Sequence, residues 1–183
     1  MPANKRRALL LLLLILLLPL GGCFDLPSLN PLCDKTTAIA DTAMVGLWQA
    51  DDGSDIIAIR FKGNAYQIAY IEKDLEVEVF TGLLTEIGGV KVMDLQREKS
   101  WLAEHHFMRV EVRGDRLTLS YMDSEWLRES IRKGGKPAHV VYEGGKKMLL
   151  TASTEEMREA LSQLAKDGRA FDSETHGFIR VKS

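Results

Sequence analysis

Residues 57–70 read IAIRFKGNAYQIAY, and this stretch predicts the architecture of the chain. On both sides of Gly63-Asn64, apolar residues alternate with polar or small ones, a period of two that is typical of a half-buried β-strand. Glycine and asparagine both tolerate positive φ, so the dipeptide predicts a two-residue hairpin turn. We therefore expect two antiparallel strands joined by a tight turn.

The same pattern continues towards the C-terminus. Four further runs alternate in the same way, and turn residues such as Gly88-Gly89 and Gly114-Asp115 separate them. The runs cover residues 75–87, 90–97, 106–113 and 117–121. Consecutive strands at this spacing are typical of an antiparallel meander.

A short helix and a second hairpin are expected next. Asp123-Ser124 can cap a helix on which Trp126, Leu127 and Ile131 share one face. Strands are then expected near residues 138–143 and 147–152. The helix is an insertion into the series of strands.

A capping box predicts a second helix. Ser153 is followed three residues later by Glu156, so each side chain can bond the other residue's backbone N–H. The apolar stripe behind the box consists of Met157, Ala160, Leu161 and Leu164. Gly168 ends the helix, and a last apolar alternation over residues 178–181 predicts a closing strand.

Eight to ten short strands in near-neighbour order must protect two sheet edges, and closing the sheet removes both edges. The sequence therefore predicts a mainly β fold over residues 44–183. We expect an antiparallel up-and-down barrel with a short inserted helix, and a C-terminal helix followed by a closing strand.

The start of this domain resembles the lipocalin-like, or calycin-type, barrels. Residues 46–48 read Gly-Leu-Trp, which is similar to the Gly-x-Trp on the first strand of that family. In the family, a helix near the end precedes a final strand that returns beside the first strand. Residues 153–167 followed by 177–182 have that order.

The resemblance implies roles for residues at one end of the barrel. Gly46 and Trp48 would close that end, because the family's tryptophan plugs it. Arg180 or Lys182 would supply the cation that stacks on the indole, a cation–π arrangement.

The N-terminal residues predict export. Residues 1–7 carry Lys5, Arg6 and Arg7, and residues 8–20 are nearly all leucine. Thirteen apolar residues are too few to span a bilayer comfortably, so residues 1–22 are predicted to be a signal peptide.

Leu20-Gly21-Gly22-Cys23 resembles the lipobox of bacterial lipoproteins. The resemblance implies cleavage before Cys23 and acylation of its thiol, with palmitate as the expected fatty acid, so that membrane lipid is a partner. The alternative is an ordinary signal peptide or an uncleaved anchor. Phe24 follows the cysteine where aspartate would retain such lipoproteins in the inner membrane, which favours the outer membrane, facing the periplasm.

Residues 23–43 are predicted to be the lipidated cysteine and a flexible tether, because prolines interrupt a stretch without periodicity. The chain has a formal net charge of -2. Removal of residues 1–22 takes away three positive charges and leaves 21 basic against 26 acidic residues, a net charge of -5. This balance argues against a nucleic-acid partner.

The sequence shows no catalytic or metal-binding spacing. His105 and His106 are adjacent in a predicted strand and point to opposite faces, while His139 and His176 lie far along the chain. With Cys23 acylated, Cys33 has no partner within the chain. It could pair with another chain, take a cofactor or stay an idle thiol, and we favour the idle thiol. We expect a non-enzymatic protein without cofactor or metal.

Ten apolar or aromatic residues are expected to point into the barrel. They are Tyr66, Ile68, Tyr70, Val77, Val79, Met108, Val110, Leu117, Leu119 and Tyr121. These residues either fill the interior completely or line a cavity in which tyrosine hydroxyls orient the polar end of an apolar ligand.

The sequence therefore predicts a membrane-anchored envelope lipoprotein that binds a small apolar molecule or lipid in a barrel cavity. The alternative is an accessory subunit that binds no ligand. Such a subunit would dock on an envelope protein complex through the outer face of the barrel and the helix after Ser153.

Overall fold

A computed structural model describes residues 26–132, 139–142, 147–166, 169–171 and 175–182. The described residues form the strands β1 (Gly46–Ala50), β2 (Ile56–Lys62), β3 (Ala65–Ile71), β4 (Val77–Ile87), β5 (Val90–Arg97), β6 (His105–Arg113), β7 (Arg116–Tyr121), β8 (His139–Tyr142), β9 (Lys147–Leu150) and β10 (Thr175–Arg180). The helices are α1 (Ser124–Arg132) and α2 (Thr154–Lys166), with short 3-10 helices at Thr42–Met44 and Arg169–Phe171.

Eight strands close into one antiparallel barrel. Around the barrel the order is β1, β10, β7, β6, β5, β4, β3 and β2. Neighbours in space are neighbours in sequence with two exceptions. The last strand, β10, pairs with the first strand, β1, and also with β7, although α1, β8, β9 and α2 lie between β7 and β10 in the chain. This arrangement confirms the predicted up-and-down, lipocalin-like barrel with an inserted helix and a closing strand after the C-terminal helix.

The hairpin of β2 and β3 has the predicted turn. Ile57 lies opposite Tyr70 and Ile59 opposite Ile68, so the alternating apolar residues share the interior face. Gly63 has a φ of 67°, a left-handed conformation that glycine adopts without steric cost. The local signals in residues 57–70 are thus sufficient to set this register.

One hydrophobic core fills the barrel. It is made of inward-facing residues from all eight barrel strands and from the 3-10 helix that precedes β1. Its largest fully buried side chains are Trp48, Tyr66, Met44, Leu84, Met93 and Leu117.

A second core lies outside the barrel. Ile87, Val92 and Phe107 point outward from β4, β5 and β6 and are buried beneath α1, α2, β9 and the second 3-10 helix. We call the elements that cover this side of the barrel the outer layer: residues 26–33, α1, the two-stranded sheet of β8 and β9, α2 and residues 169–171. The β4–β6 side of the barrel therefore carries apolar packing on both of its faces.

The capping box of α2 is confirmed. The backbone N–H of Ser153 donates to Glu156 Oε2 at 3.0 Å, and the N–H of Glu156 donates to Ser153 Oγ at 3.3 Å. Met157, Ala160 and Leu161 of the predicted stripe are buried in the protein, so the apolar face of α2 is already used. Docking on an envelope complex through the helix after Ser153 stays a prediction. The side chains of Trp126 and Leu164 lie outside the described residues.

The prediction of a flexible tether is wrong from Leu26 onwards. Leu26, Leu32 and Cys33 are buried, and Ser28 is completely inaccessible to solvent. Ser28 exchanges backbone hydrogen bonds with His105 of β6, and the backbone of Leu150 in β9 bonds to the residues on either side of Ser28. This segment thus joins the barrel to the other elements of the outer layer, and its prolines mark an irregular path rather than a free chain.

The predicted signal peptide, the lipobox and Cys23 lie outside the described residues. Among the residues that are described, no helix is long and apolar enough to cross a membrane. Membrane attachment through Cys23 stays a prediction.

Candidate functional site

Trp48 and Arg180 close one end of the barrel. The guanidinium carbon of Arg180 lies 4.0 Å from the centre of the Trp48 ring, and Trp48 Nε1 donates to the carbonyl of Met44 at 2.9 Å. Arg180 also donates to the carbonyls of Ala43 and Val45 at 2.7 and 2.8 Å. Of the two candidate cations, Arg180 is therefore the one that stacks on the indole.

Gly46 is required by this arrangement. Its φ is 148°, and a Cβ atom at this position would lie 2.5 Å from Nη1 of Arg180. Any side chain here would be strained and would displace the guanidinium from Trp48. Gly46, Trp48 and Arg180, the three residues implied by the resemblance, thus contact one another at the closed end of the barrel.

The middle of the barrel is filled. A Cβ atom added to Gly82 would lie 2.7 Å from Met93 Sδ and 3.0 Å from Ile68 Cδ1, so the interior has no room for a methyl group at this level. Of the predicted interior residues, Tyr66, Ile68, Met108, Val110 and Leu117 are buried in this core, and Tyr70, Leu119 and Tyr121 pack against it.

Val77 and Val79 point the other way, and their expected inward orientation is wrong. Tyr70 lies opposite Glu78 and Ile68 opposite Phe80, so Glu78 and Phe80 share the interior face of β4. Val77 is 57% exposed. Apolar residues occupy both faces of β4, and alternation alone does not tell which set is inside.

Polar side chains gather at the end of the barrel opposite Trp48. At this end the register places six residues on the interior face, each directly opposite or next to a core residue. We call this end the polar mouth, and the six residues are Tyr70, Glu78, Arg97, His106, Tyr121 and His176.

The residues of the polar mouth are held in pairs. Arg97 forms an ion pair with Glu78 at 2.9 Å, and its guanidinium lies 5.6 Å from the ring centre of Phe80. The rings of Tyr121 and His176 meet edge to face at 5.4 Å. The mouth is thus a preformed ring of polar groups above the apolar core.

Burial controls the protonation of two of these groups. Loss of hydration, followed by the hydrogen bond that Tyr70 donates to Asp55 at 2.6 Å, raises the pKa of Tyr70, so the phenol keeps its proton. Burial, followed by the positive charge of Arg97, lowers the pKa of His106 to about 4. At neutral pH the mouth presents a phenol, a neutral imidazole and an internally balanced ion pair.

The sequence predicted only the tyrosines of the polar mouth. His106 is in phase with Met108 and Val110 in the printed sequence, so a titratable residue in an inward-facing stripe was the signal for it. Glu78 and Arg97 gave no such signal, because their face depends on how β4 pairs with β3 and β5.

A second polar cluster holds the segment of residues 26–33. The buried carboxylate of Asp94 accepts the Leu32 N–H at 2.7 Å and contacts His105 Nδ1 at 2.7 Å. Arg158 donates to the carbonyl of Leu32 and to Thr85 Oγ1, both at 2.9 Å. Because these bonds lead to the backbone of the segment, the cluster is structural.

Cys33 lies beside this cluster as a free, buried thiol. Burial, followed by the negative charge of Asp94, raises its pKa to about 11, which keeps the sulfur protonated and unreactive. Within the described residues, no three side chains of His, Cys, Asp or Glu are grouped so that they could hold a metal ion.

Comparisons of the chain with protein families, with curated proteins and with solved structures found no match. The polar mouth is the candidate site that its own geometry provides. It combines partly buried titratable groups with an apolar floor, the usual composition of a small-molecule site.

Proposed function

We propose that this protein is a lipid-anchored, non-enzymatic envelope protein that binds a small molecule with an apolar body and a polar end. The observation that carries the proposal is the polar mouth, where paired polar side chains surround the end of an apolar core. The apolar body would rest on Phe80 and Leu119, and the polar end would meet the tyrosine hydroxyls. Cys23 would hold the domain at the outer membrane, facing the periplasm.

The filled middle of the barrel limits the depth of binding. Since Gly82, Met93 and Ile68 leave no room for a methyl group, a long acyl chain cannot enter unless these side chains move. The ligand is therefore expected to be short or to lie across the mouth.

The charge state of the polar mouth limits the chemical class of the ligand's polar end. Glu78 balances Arg97, and His106 is neutral at pH 7, so the mouth offers hydrogen bonds without a net positive charge. A hydroxyl, amide or ester group suits this site better than a free carboxylate.

Native mass spectrometry of the purified Cys23→Ser chain tests the ligand. We expect a co-purifying small molecule whose occupancy falls in a Tyr70→Phe/Tyr121→Phe variant. Tyr66→Phe is the matched control, because it removes the same hydroxyl at the closed end, where Tyr66 bonds to the backbone of Asp41. An empty protein after expression in its own envelope, or equal occupancy in mouth and control variants, would refute the site.

The anchor has a separate test. Cys23→Ser is expected to move the protein from the membrane fraction to the soluble fraction, because acyl chains supply the membrane affinity. Ser28→Ala is not a suitable control, since Ser28 is buried in the fold, so Thr36→Ala on the exposed loop is used. Continued sedimentation of the Cys23→Ser chain with membranes would contradict acylation as its only attachment.

A further inference from the structure

The outward face of β10, β1, β2, β3 and β4 carries a continuous apolar surface. The register places its residues in two rows across the strands, with only Gln49 as a polar residue within them. We call this surface the apolar wall, and it consists of Leu47, Ile56, Ala58, Ala69, Ile71, Val77, Val79, Ile179 and Val181.

The apolar wall is open to solvent. Leu47 is 41% exposed, Val77 57% and Ile179 45%. On the β4–β6 side of the barrel, by contrast, the outward-facing Val92 and Phe107 are buried under the outer layer. A contiguous exposed apolar surface on a folded domain marks an interaction site.

An acidic rim borders the apolar wall at the mouth end. The rim consists of the turns 51–55 and 72–76, which together contain six carboxylates and one basic residue, Lys73. They belong to Asp51, Asp52, Asp55, Glu72, Asp74 and Glu76.

The rim carries uncompensated negative charge. Arg116 pairs with Asp51 at 2.5 Å, but loss of hydration, followed by the charges of Asp74 and Glu78, raises the pKa of Glu72. A hollow of about 280 Å³ lies where the rim meets the wall, and its lining includes Gln49, Asp51 and Ile179. Arg180 also lines this hollow, and Arg116 donates to both carboxylate oxygens of Asp51.

We propose that the apolar wall and the acidic rim together are a docking surface for a protein segment that carries an apolar strip flanked by lysine or arginine residues. The apolar strip covers the two rows of the wall, and the basic side chains lie along the rim. The proposal does not depend on a ligand in the polar mouth.

Charge selects this occupant over two others. Anionic lipid headgroups would be repelled by six carboxylates, so the wall does not suit a negatively charged membrane surface. Two copies of the processed chain, each with a net charge of -5, also repel each other, although Arg60 and Lys62 lie at the far end of the wall. A basic partner gains from both the apolar contact and the rim.

Two synthetic amphipathic peptides test the proposal on the Cys23→Ser chain. Both carry the same leucine strip, one with lysines and the other with glutamates on the flanks. In a titration, we expect the lysine peptide to bind at least tenfold more tightly than the glutamate peptide. We also expect the affinity of the lysine peptide to fall with added salt. Equal affinities, or tighter binding of the glutamate peptide, would overturn the proposal.

Variants locate the binding on the wall and the rim. The wall variant Val77→Gln/Ile179→Gln is expected to weaken binding of the lysine peptide at least tenfold. The rim variant Glu72→Gln/Glu76→Gln is expected to weaken this binding and to reduce its dependence on salt. The matched controls are Trp101→Gln, a 94% exposed side chain away from the wall, and Glu125→Gln/Glu155→Gln on the two helices, and both should bind as the parent does. Loss of binding in the controls as well would refute the assigned surface.

Two further measurements test whether a second copy of the chain or a lipid surface occupies the apolar wall instead. Sedimentation velocity of the parent chain detects self-association, and flotation with zwitterionic or anionic phospholipid vesicles detects lipid binding. A dimer or a vesicle complex that Val77→Gln/Ile179→Gln abolishes would overturn the proposal in favour of that occupant. Circular dichroism shows whether the wall variant folds. If it does not fold, the proposal is still decided by how strongly the parent chain and the rim variant each prefer the lysine peptide over the glutamate peptide.

Discussion

Arg180 links three parts of the chain at the closed end of the barrel. It lies on the last strand, stacks on Trp48 of the first strand, and bonds to two carbonyls of the turn that precedes β1. A lysine would keep the positive charge, but it lacks the planar fork that reaches both carbonyls while stacking on the ring.

Arg180→Lys is therefore expected to lower the free energy of unfolding by about 2 kcal/mol, the scale of losing a hydrogen bond from a charged group together with part of the stacking. Urea denaturation followed by Trp fluorescence measures this change. Arg113→Lys is the control, because Arg113 is highly exposed at a hairpin end, where it pairs with Glu111. Equal stability of the two variants would contradict the role of Arg180.

His106 makes the stability of the fold depend on pH. The folded-state pKa is lowered to about 4 by burial and by Arg97, whereas an unfolded histidine has a pKa of about 6.5. As the pH falls from about 6.5 towards 4, the unfolded chain takes up a proton that the folded chain binds less readily, so stability falls.

His106→Gln is expected to flatten this dependence. The stability lost by the parent between pH 6.5 and pH 4 through this one group is at most on the order of 3 kcal/mol. Urea midpoints at several pH values for the parent, His106→Gln and His139→Gln measure the effect. If His139→Gln flattens the curve as much as His106→Gln does, burial of His106 is not the cause.

At the scale of elements, residues 26–33 form a seam that connects the barrel to the other elements of the outer layer. Asn30 donates to the carbonyl of Ala152 at 2.8 Å, Thr154 donates to the carbonyl of Pro31 at 2.7 Å, and Asp94 accepts the Leu32 N–H. If Cys23 is acylated, only two residues separate it from Leu26, so the domain would lie close to the membrane.

Asp94→Ala is expected to loosen this seam. It leaves the buried Leu32 N–H without its acceptor, which costs about 1–3 kcal/mol, so amide exchange at Leu32 should accelerate at least tenfold. The thiol of Cys33, now 3% exposed, should also react faster with a disulfide reagent in the Cys23→Ser background. Asp74→Ala on the exposed β3–β4 turn should change neither rate, and an unchanged Leu32 rate in Asp94→Ala would show that other bonds hold the segment.

Elements defined by local signals could be predicted from the sequence, whereas those defined by distant partners could not. The hairpin at Gly63 and the capping box at Ser153 each depend on residues within a few positions of one another. The phase of β4 depends on pairing with β3, and residues 26–33 are ordered by side chains more than 60 positions away, such as Asp94 and Thr154. Local alternation and proline content carry no information about such partners.

At the scale of the whole molecule, the two hydrophobic cores lie on opposite faces of the strands β4, β5 and β6. The outer layer, apart from residues 26–33, is an insertion between β7 and β10, and these strands pair directly with each other. The barrel is therefore closed without the outer layer, while the outer layer has nothing to pack on without the barrel. This asymmetry predicts that the outer layer opens first, as a unit of lower stability.

Hydrogen exchange on two variants tests this order of opening. Phe178→Ala removes a side chain from the barrel core and should lower only the free energy of global unfolding, so amides of β2 and β3 exchange faster while those of α1 and α2 keep the parent's rate. Met157→Ala removes a side chain from the outer core and should accelerate exchange in both regions, because the outer layer is unfolded in the partly open state and in the fully unfolded state alike. Val140→Ala, at an exposed position of β8, serves as the control for truncation at a surface. If Phe178→Ala accelerates exchange in α1 and α2 as much as in β2 and β3, the two cores unfold together and the chain is one cooperative unit.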